Sequence, residues 1–348
     1  MIFKKADDLQ TLVTQILLAA GANQETADAV AEHLVLASLS GVDTHGIWHV
    51  KGYVDAIKDN IVVPTATPEI LKDADQSALV TGNWNFGHLA ARFATELAIE
   101  KARNNGMAIV GLVQSHHIGR LGHYPEMAAS QAMISMVWGG GFGMVEPAAV
   151  PYGGSQALLH TNPLAMGFPL GDQPPMMFDY ATSAISGVKV NNARRRKETL
   201  PPGSIVDKNG APTTDPEDFF DGGSHVPFGG HKGYALMMAA EYFGRIFVGS
   251  DAYIDPVLGG PIMRHQGVTI IVIRADVFQP LQAYNTNATA MAQRTRDIPP
   301  APGFDSVKLP GDPEVQTRET RRQEGIPIEE AIWDSIVEAA NSVGVDAG

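Results

Sequence analysis

The chain has 348 residues, of which 44% are hydrophobic and 18% charged, as expected for a folded protein with one large or two smaller domains. Its formal net charge of -13 argues against a nucleic-acid partner, because binding a phosphate backbone needs a basic face. The lack of cysteine excludes disulfides, thiolate nucleophiles and cysteine zinc sites. Without an apolar leader or an apolar run near the roughly 18 residues that span a bilayer, we expect a cytoplasmic protein that does not bind membranes.

Both ends of the chain are predicted to be helical. Apolar side chains at helical spacing predict a helix over 7–20 that Gly21 ends, a second helix over 25–39 and a third over 48–58. The last segment, about 328–340, has the same spacing. We expect it to pack back on the N-terminal helices.

The middle of the chain alternates between strands and helices. Extended segments over 61–80 precede a long amphipathic helix over 87–104. The later predicted elements are strands at 107–113, 133–138, 163–170, 176–180 and 267–273 and helices at 125–132, 183–197 and 233–248. Residues 201–230 and 299–316 are expected to form loops rich in Pro or Gly. This alternation predicts an α/β domain.

The stretch from Gln114 to Tyr124 carries three histidines, His116, His117 and His123, on a loop that follows a predicted strand. Ligands bind at this edge of open α/β sheets, and imidazole exchanges a proton near neutral pH. The alternative is a set of loop histidines with ordinary hydrogen bonds, and the residues alone leave both interpretations open.

A glycine-rich run, Gly139–Gly143, also follows a strand, but it does not match a dinucleotide-binding fingerprint. Met144 stands where the third glycine belongs, and Pro147 and Pro151 interrupt any helix after it. A standard Rossmann domain is therefore not expected, although the glycines indicate a close backbone approach.

Three other groups of residues are candidates for binding. Lys232 follows two glycines at a predicted helix start, where an ammonium and free N–H groups favour an anion. Asp179 ends an apolar strand, and either it binds a ligand or it caps the next helix. The basic run 194–197, which begins at Arg194, either holds a 2′-phosphate or is a solvated helix face.

Histidines recur outside the loop as well. His45, His49 and Tyr53 are spaced by four and would share one helix face. With so many imidazoles a zinc-dependent hydrolase or lyase is an alternative, but no His-Glu-x-x-His pair or other tight ligand spacing is present. We therefore predict no metal site.

Taken together, the motifs resemble the type-2 malate/L-lactate dehydrogenase family, which includes L-sulfolactate and ureidoglycolate dehydrogenases and cyclic-imine reductases. The resemblance covers nearly the whole chain and is carried by several blocks in order: Thr44-His45-Gly46, Ser115–Gly119, Thr161–Ala165, Phe178–Thr182, Val206–Gly210 with Pro212–Pro216, and Lys232-Gly233-Tyr234.

The resemblance implies an α/β fold that is not Rossmann but like that of L-sulfolactate dehydrogenase. A mixed-sheet cofactor domain over 73–311 would join a helical domain built from 1–72 and 312–348. It implies a homodimeric oxidoreductase that moves a hydride between NAD or NADP and a small 2-hydroxy or 2-oxo acid. NAD is slightly favoured, and NADP stays open.

The site residues follow from the same resemblance and from the motifs above. His117 and His45 are the expected catalytic histidines. The expected substrate-binding residues are His49, Tyr53, Arg120 and Asn162, and the expected cofactor-binding residues are Gly141, Asp179, Tyr180, Ala181, Lys232 and Arg194.

One departure from the family affects the substrate. The family usually has arginine at the position of His49, and a histidine cannot form the bidentate contact that arginine makes with a carboxylate. The pocket is expected to take a different anion, or a carboxylate held by His49 and Arg120. A cyclic-imine reductase, a metal-dependent hydrolase and a binder without catalysis remain the alternatives.

Overall fold

A computed structural model describes residues 1–347 of the chain. Its helices are α1 (Ala6–Ala19), α2 (Gln24–Leu39), α3 (Val50–Lys58), α4 (Gly87–Asn105), α5 (His123–Ala129), α6 (Gly187–Arg196), α7 (Pro216–Phe220), α8 (His231–Glu241), α9 (Gly260–Met263), α10 (Leu281–Arg296), α11 (Asp312–Glu324) and α12 (Glu330–Ser342). Its strands are β1 (Ile2–Lys4), β2 (Glu69–Asp73), β3 (Ser77–Thr81), β4 (Met107–Val113), β5 (Met133–Gly140), β6 (Leu164–Leu170), β7 (Gln173–Tyr180), β8 (Ile205–Val206), β9 (Pro212–Thr213), β10 (Ser224–His225), β11 (Gly267–Arg274) and β12 (Ile326–Ile328).

The two ends of the chain form one helical layer. The apolar stripe of α1, including Val13 and Ile16, packs in a common core with α2, α3 and the Trp333 and Ile336 side chains of α12. Strands β1 and β12 pair antiparallel and tie the ends together. The predicted return of the last helix onto the N-terminal helices is confirmed.

The middle of the chain forms a seven-stranded mixed sheet in the order β2-β3-β4-β11-β5-β6-β7. Only β3 and β4 pair in parallel, and every other neighbouring pair is antiparallel. Helix α4 packs on this sheet through small residues such as Ala94 and Ala98, which allow close approach to Val110 of β4. The expected α/β fold with a mixed sheet is confirmed.

The strand directions bring several chain segments to one edge of this sheet. Strands β3, β4, β5 and β7 end there, and β6 and β11 begin there. The histidine loop after β4, the glycine run after β5 and the residues after β7 therefore lie along the same edge.

Some elements differ from the sequence-based expectation. The predicted loop 201–230 contains α7 and a small sheet in the order β10-β8-β9. Helices α10 and α11 were missed, because only Ala292 of α10 and no residue of α11 is buried, which leaves little apolar periodicity to detect. The domain boundary expected after residue 72 falls inside β2, which pairs with β3 of the large sheet.

Two helices also differ in their type or bounds. The helix expected over 48–58 begins as two 3-10 turns, Asp43–His45 and Ile47–His49, before α3. Helix α8 continues as a π-helical segment, Tyr242–Phe247. Within residues 1–347, no helix combines the length and apolar character needed to cross a bilayer.

Candidate active site

Imidazoles from two distant segments meet beside the sheet edge. The ring centroid of His117, on the loop after β4, lies 5.7 Å from that of His45 and 4.9 Å from that of His49. The loop is fixed to the start of α4, where the Gly87 N–H donates to the His117 carbonyl at 3.1 Å. A Cβ at Gly87 would lie 2.4 Å from the His116 carbonyl oxygen, so only glycine permits this contact.

The 3-10 turns before α3 hold the other two histidines. His45 Nδ1 lies 3.0 Å from the Thr44 hydroxyl, and His49 Nε2 donates to the Thr44 carbonyl at 2.9 Å. The His49 ring also stacks on Tyr53, with centroids 5.4 Å apart. Within residues 1–347, His45 Nε2, His117 Nε2 and His49 Nδ1 have no hydrogen-bond partner. Three ring nitrogens are thus available to a ligand.

Burial keeps this imidazole cluster neutral. Burial, followed by the positive Arg120, lowers the pKa of His45 to about 4. Burial and then His45 lower the pKa of His49 to about 4. The pKa of His117 is also held well below its usual value by burial and by the neighbouring imidazoles. At neutral pH each ring therefore offers one donor and one acceptor nitrogen.

Tyr53 lies behind His117 rather than in an open pocket. Its side chain is 3% exposed, and its hydroxyl is 2.7 Å from His117 Nδ1 and 3.4 Å from His88 Nε2. Burial raises the pKa of Tyr53 well above its usual value, so the phenol keeps its proton. The structure therefore places Tyr53 against the catalytic candidate, and its hydroxyl has two protein partners.

Arg120, expected to hold a substrate carboxylate, has different contacts. Its side chain is 1% exposed and its guanidinium pairs with Glu126 at 3.4 Å. Glu126 also accepts from Arg318 of α11 at 2.9 Å. Burial would raise the pKa of Glu126, but Arg120 and Arg318 outweigh it and the pKa is lowered. In this conformation Arg120 is committed to a buried ion pair, which revises the sequence-based expectation.

Two buried histidines escaped sequence analysis. The His33 and His88 rings are 4.7 Å apart, and His33 stacks on His123 at 4.7 Å. His33 Nε2 accepts the Arg120 backbone N–H at 2.8 Å. Both sit inside long helical patterns, α2 and α4, where a lone histidine gives no signal that it faces another segment.

Three of the residues expected to bind the cofactor, Asp179, Tyr180 and Ala181, lie where β7 ends at the same sheet edge. Asp179 Oδ2 accepts the Gly122 N–H of the histidine loop at 2.7 Å. Burial raises the pKa of Asp179 to about 6, against the opposing effects of the Gly122 N–H and Arg120. Tyr180 is exposed, and its ring meets Phe228 at 5.5 Å, while Ala181 is half-buried just beyond β7.

Phe228 leads directly to α8. Its N–H donates to the Thr182 carbonyl at 3.0 Å, so the loop before α8 is anchored where β7 ends. Gly230 precedes α8 without any side-chain cap, and Lys232 is exposed in the first turn. Free N–H groups, the helix dipole and an ammonium form a donor set that fits the phosphates of a nucleotide.

Two other residues from the expected site already have hydrogen-bond partners within the protein. Gly141 donates its N–H to Glu241 at 2.9 Å, and a Cβ there would meet the His265 carbonyl oxygen at 2.0 Å. The buried Asn162 donates to the same Glu241 at 2.8 Å and accepts the His160 N–H at 3.0 Å. These contacts make Gly141 and Asn162 packing residues, a revision of their expected ligand roles.

Arg194, at the end of α6, is paired as well. Its guanidinium donates to Glu217 at 3.0 Å and lies 4.4 Å from the centre of the Phe220 ring. The basic run thus includes at least one cation that is already neutralised by a neighbour. Among the described residues 1–347, no group of three or more His, Asp or Glu side chains is arranged to hold a metal ion.

Comparison with known proteins places this site in a family. The sequence model that describes the malate/L-lactate dehydrogenase family matches residues 4–337 of the chain. The chain belongs to the malate/L-lactate dehydrogenase family. It is 33% identical to hydroxycarboxylate dehydrogenase B of Escherichia coli O157:H7, over 98% of this chain and 94% of the relative.

Solved structures of the family share the fold. The sulfolactate dehydrogenase of Methanocaldococcus jannaschii superposes with a TM-score of 0.90 at 30% identity, covering 99% of this chain and 98% of that one. The delta1-piperideine-2-carboxylate reductase of Pseudomonas syringae pvar. tomato gives 0.85 at 30% identity, covering 98% and 100%. This member of the family is accordingly an oxidoreductase of the dehydrogenase type, with the predicted sulfolactate-dehydrogenase-like fold.

Proposed function

We propose that the enzyme transfers a hydride between NAD or NADP and a small 2-hydroxy or 2-oxo acid. The observation that carries this proposal is the pair of neutral imidazoles, His45 and His117, whose rings are 5.7 Å apart and whose Nε2 atoms have no partner among residues 1–347. Both lie at the sheet edge that carries the phosphate-type donor set of α8. Dehydrogenation needs such a proton-handling group beside the nicotinamide.

His117 is the proposed acid and base. In the direction of reduction, His117 Nε2–H would give a proton to the substrate oxygen that becomes the hydroxyl, and in the direction of oxidation the bare Nε2 would take it back. His45 would then position or polarise the same oxygen. The reverse assignment of these two histidines uses the same geometry, and comparison of their variants distinguishes the two.

The bound nicotinamide supplies the hydride, and the protein must hold and orient it. We propose that Lys232 and the first N–H groups of α8 hold the phosphates, with Tyr180, Ala181 and the half-buried Asp179 along the path from α8 to the histidine loop. NAD is slightly favoured over NADP, because Arg194 is already paired with Glu217.

A second candidate function, reduction of a cyclic imine, is favoured by His49. Its Nε2–H is donated to the Thr44 carbonyl, so the neutral ring presents only an acceptor, Nδ1, to a ligand. A protonated imine carries an N–H that such an acceptor binds, whereas a carboxylate offers no donor. With Arg120 bound to Glu126, an acid substrate would need another cation, or a shift of this ion pair.

A homodimer is the proposed assembly. The π-helical segment exposes a group of large apolar side chains, Tyr242, Ile246 and Phe247, between 49% and 62% accessible. Exposed apolar groups of this kind are typical of subunit interfaces. Light scattering of the purified protein tests this proposal, and a monomer at micromolar concentration would contradict it.

The test of function is a panel of 2-hydroxy acids, 2-oxo acids and cyclic imines, followed by nicotinamide absorbance with each nucleotide. We expect turnover with one class, and a loss of about 100-fold or more in kcat for His117→Ala with nucleotide binding retained. The control is Lys208→Ala, because Lys208 is exposed. His231 is also exposed, but it lies on α8, which is proposed to hold the nucleotide phosphates. Absence of turnover with every compound, or a His117→Ala variant as fast as the wild type, would refute the proposal.

A further inference from the structure

The contacts behind His117 give Tyr53 a role other than the expected substrate binding, and they add His88, which no sequence motif indicated. Tyr53 and His88 form a hydrogen-bonded line with His117 in which the Tyr53 hydroxyl is the middle group, 2.7 Å from His117 Nδ1 and 3.4 Å from His88 Nε2. All three groups come from separate segments: α3, α4 and the loop after β4.

We propose that Tyr53, held by His88, sets which tautomer of His117 faces the substrate. This inference rests on the proposed role of His117 as acid and base. Tyr53 and His88 are positioning residues, since they act through His117 and not on the substrate.

The number of protons in the hydrogen-bonded line determines the tautomer of His117. A hydroxyl has one proton to donate and can also accept. When Tyr53 donates to His117 Nδ1, the neutral His117 carries its proton on Nε2 and is an acid toward the ligand. His88 Nε2–H then donates to the Tyr53 oxygen.

In the opposite arrangement, the two hydrogen bonds of the Tyr53 hydroxyl run in the reverse direction. His117 Nδ1–H donates to the Tyr53 oxygen, Tyr53 donates to a bare His88 Nε2, and His117 Nε2 is a base. The partner of one ring nitrogen fixes the proton on the other, which is the general way that an acid/base histidine is oriented. Both forms keep every group neutral, as burial requires here.

The environment of His88 restricts the hydrogen bonding of its ring to Tyr53. His88 is 1% exposed, and its Nδ1 is buried without a partner among the described residues. The ring is confined by His33, whose centroid is 4.7 Å away at an interplanar angle of 77°. Tyr53 is the single polar partner of this ring within residues 1–347, so the ring's hydrogen bonding is directed wholly at Tyr53.

The chain offers a matched control for the loss of a buried hydroxyl. Tyr124 is also fully buried in the same region, but its hydroxyl donates to the Ile118 carbonyl at 2.5 Å and meets no imidazole nitrogen. Tyr53→Phe and Tyr124→Phe therefore remove the same atom from two buried sites, and only the first breaks the line to His117.

We expect Tyr53→Phe to lower kcat about 10- to 100-fold, within the range of a disturbed acid/base group, with KM values changed less than about 3-fold. Tyr124→Phe should keep kcat within about 3-fold of the wild type, because it removes no contact to an imidazole nitrogen. His88→Gln, whose amide both donates and accepts, should retain most activity, and His88→Leu should lose more.

A second measurement needs no cofactor or substrate. The nitrogen-15 chemical shifts of His117 in the free enzyme, assigned with the His117→Gln variant, report which ring nitrogen carries the proton. We expect one dominant tautomer in the wild type and in Tyr124→Phe, and a changed ratio in Tyr53→Phe. A folded Tyr53→Phe enzyme with unchanged shifts and wild-type kcat would overturn the inference. If the wild type lacks nicotinamide turnover but the shifts respond as expected, the proposed function fails and the hydrogen-bonded line stands.

Discussion

The buried imidazoles make the unfolding free energy of this protein depend strongly on pH. Burial is the first cause of a lowered pKa, to about 4, for five histidines, which are His45, His49, His116, His123 and His225. As the pH falls below about 6.5, the ordinary pKa of histidine, each of them takes up a proton in the unfolded chain but stays neutral in the folded protein. Their contribution to stability is complete above pH 6.5 and is lost as the pH falls toward 4.

The size of the effect follows from proton linkage. Between pH 7 and pH 5.5, each of these histidines lowers the unfolding free energy of the protein by about 1.2 kcal/mol. The five together lower it by about 6 kcal/mol. Asp179 acts in the other direction, because its pKa is raised to about 6 and its burial is less costly once it is protonated. Protonation of Asp179 therefore raises the unfolding free energy by about 0.8 kcal/mol between pH 7 and pH 5.5. These six groups together give an expected net loss of about 5 kcal/mol, a large share of the roughly 5–15 kcal/mol typical of a folded domain. His33, His88 and His117, whose pKa values burial also lowers, add to this loss.

The assay is urea unfolding followed by circular dichroism at pH 7.0, 6.5, 6.0 and 5.5. The slope of the unfolding free energy against pH gives the number of protons taken up on unfolding. In His116→Asn, which removes a buried ring whose Nδ1 has no partner, the pH-dependent loss should shrink by about 1.2 kcal/mol. The control is His231→Asn, which removes an imidazole that is exposed rather than buried. A loss below about 2 kcal/mol over this range would refute the reasoning, because fewer than two buried histidines would then account for it.

Three further predictions concern single side chains. Lys232→Met should weaken nucleotide binding by about 10-fold or more in equilibrium titration, as expected for one charge-assisted hydrogen bond, while Lys208→Met should not. His49→Arg should raise kcat/KM for 2-oxo acids by about 10-fold, since a guanidinium binds a carboxylate in a bidentate way; an unchanged ratio of acid to imine turnover would contradict this. Glu126→Gln should lower the unfolding free energy by about 3–5 kcal/mol because it leaves the buried Arg120 without its carboxylate, whereas the exposed Glu330→Gln should cost under about 1 kcal/mol.

Much of the fold was predictable because its signals are local. The stripe of α1, the apolar run of β4 and the alternation of strands and helices each express burial through spacing along the chain. The position of His117 on a loop after a strand was visible for the same reason. Helices α10 and α11 were missed because they bury almost nothing, and the small sheet of β8, β9 and β10 because its strands have two residues each.

The amino-acid sequence by itself determined the helical ends, the alternating centre, the histidine-bearing loop and the absence of cysteine chemistry. Tertiary structure alone decided which polar groups pair: Tyr53 with His117, Arg120 with Glu126, and Asn162 with Glu241. The physical reason is that periodicity records which face of an element is buried, but a hydrogen bond depends on what lies opposite that face. Residues as far apart as 53 and 117 become neighbours only when the helices and the sheet have packed together.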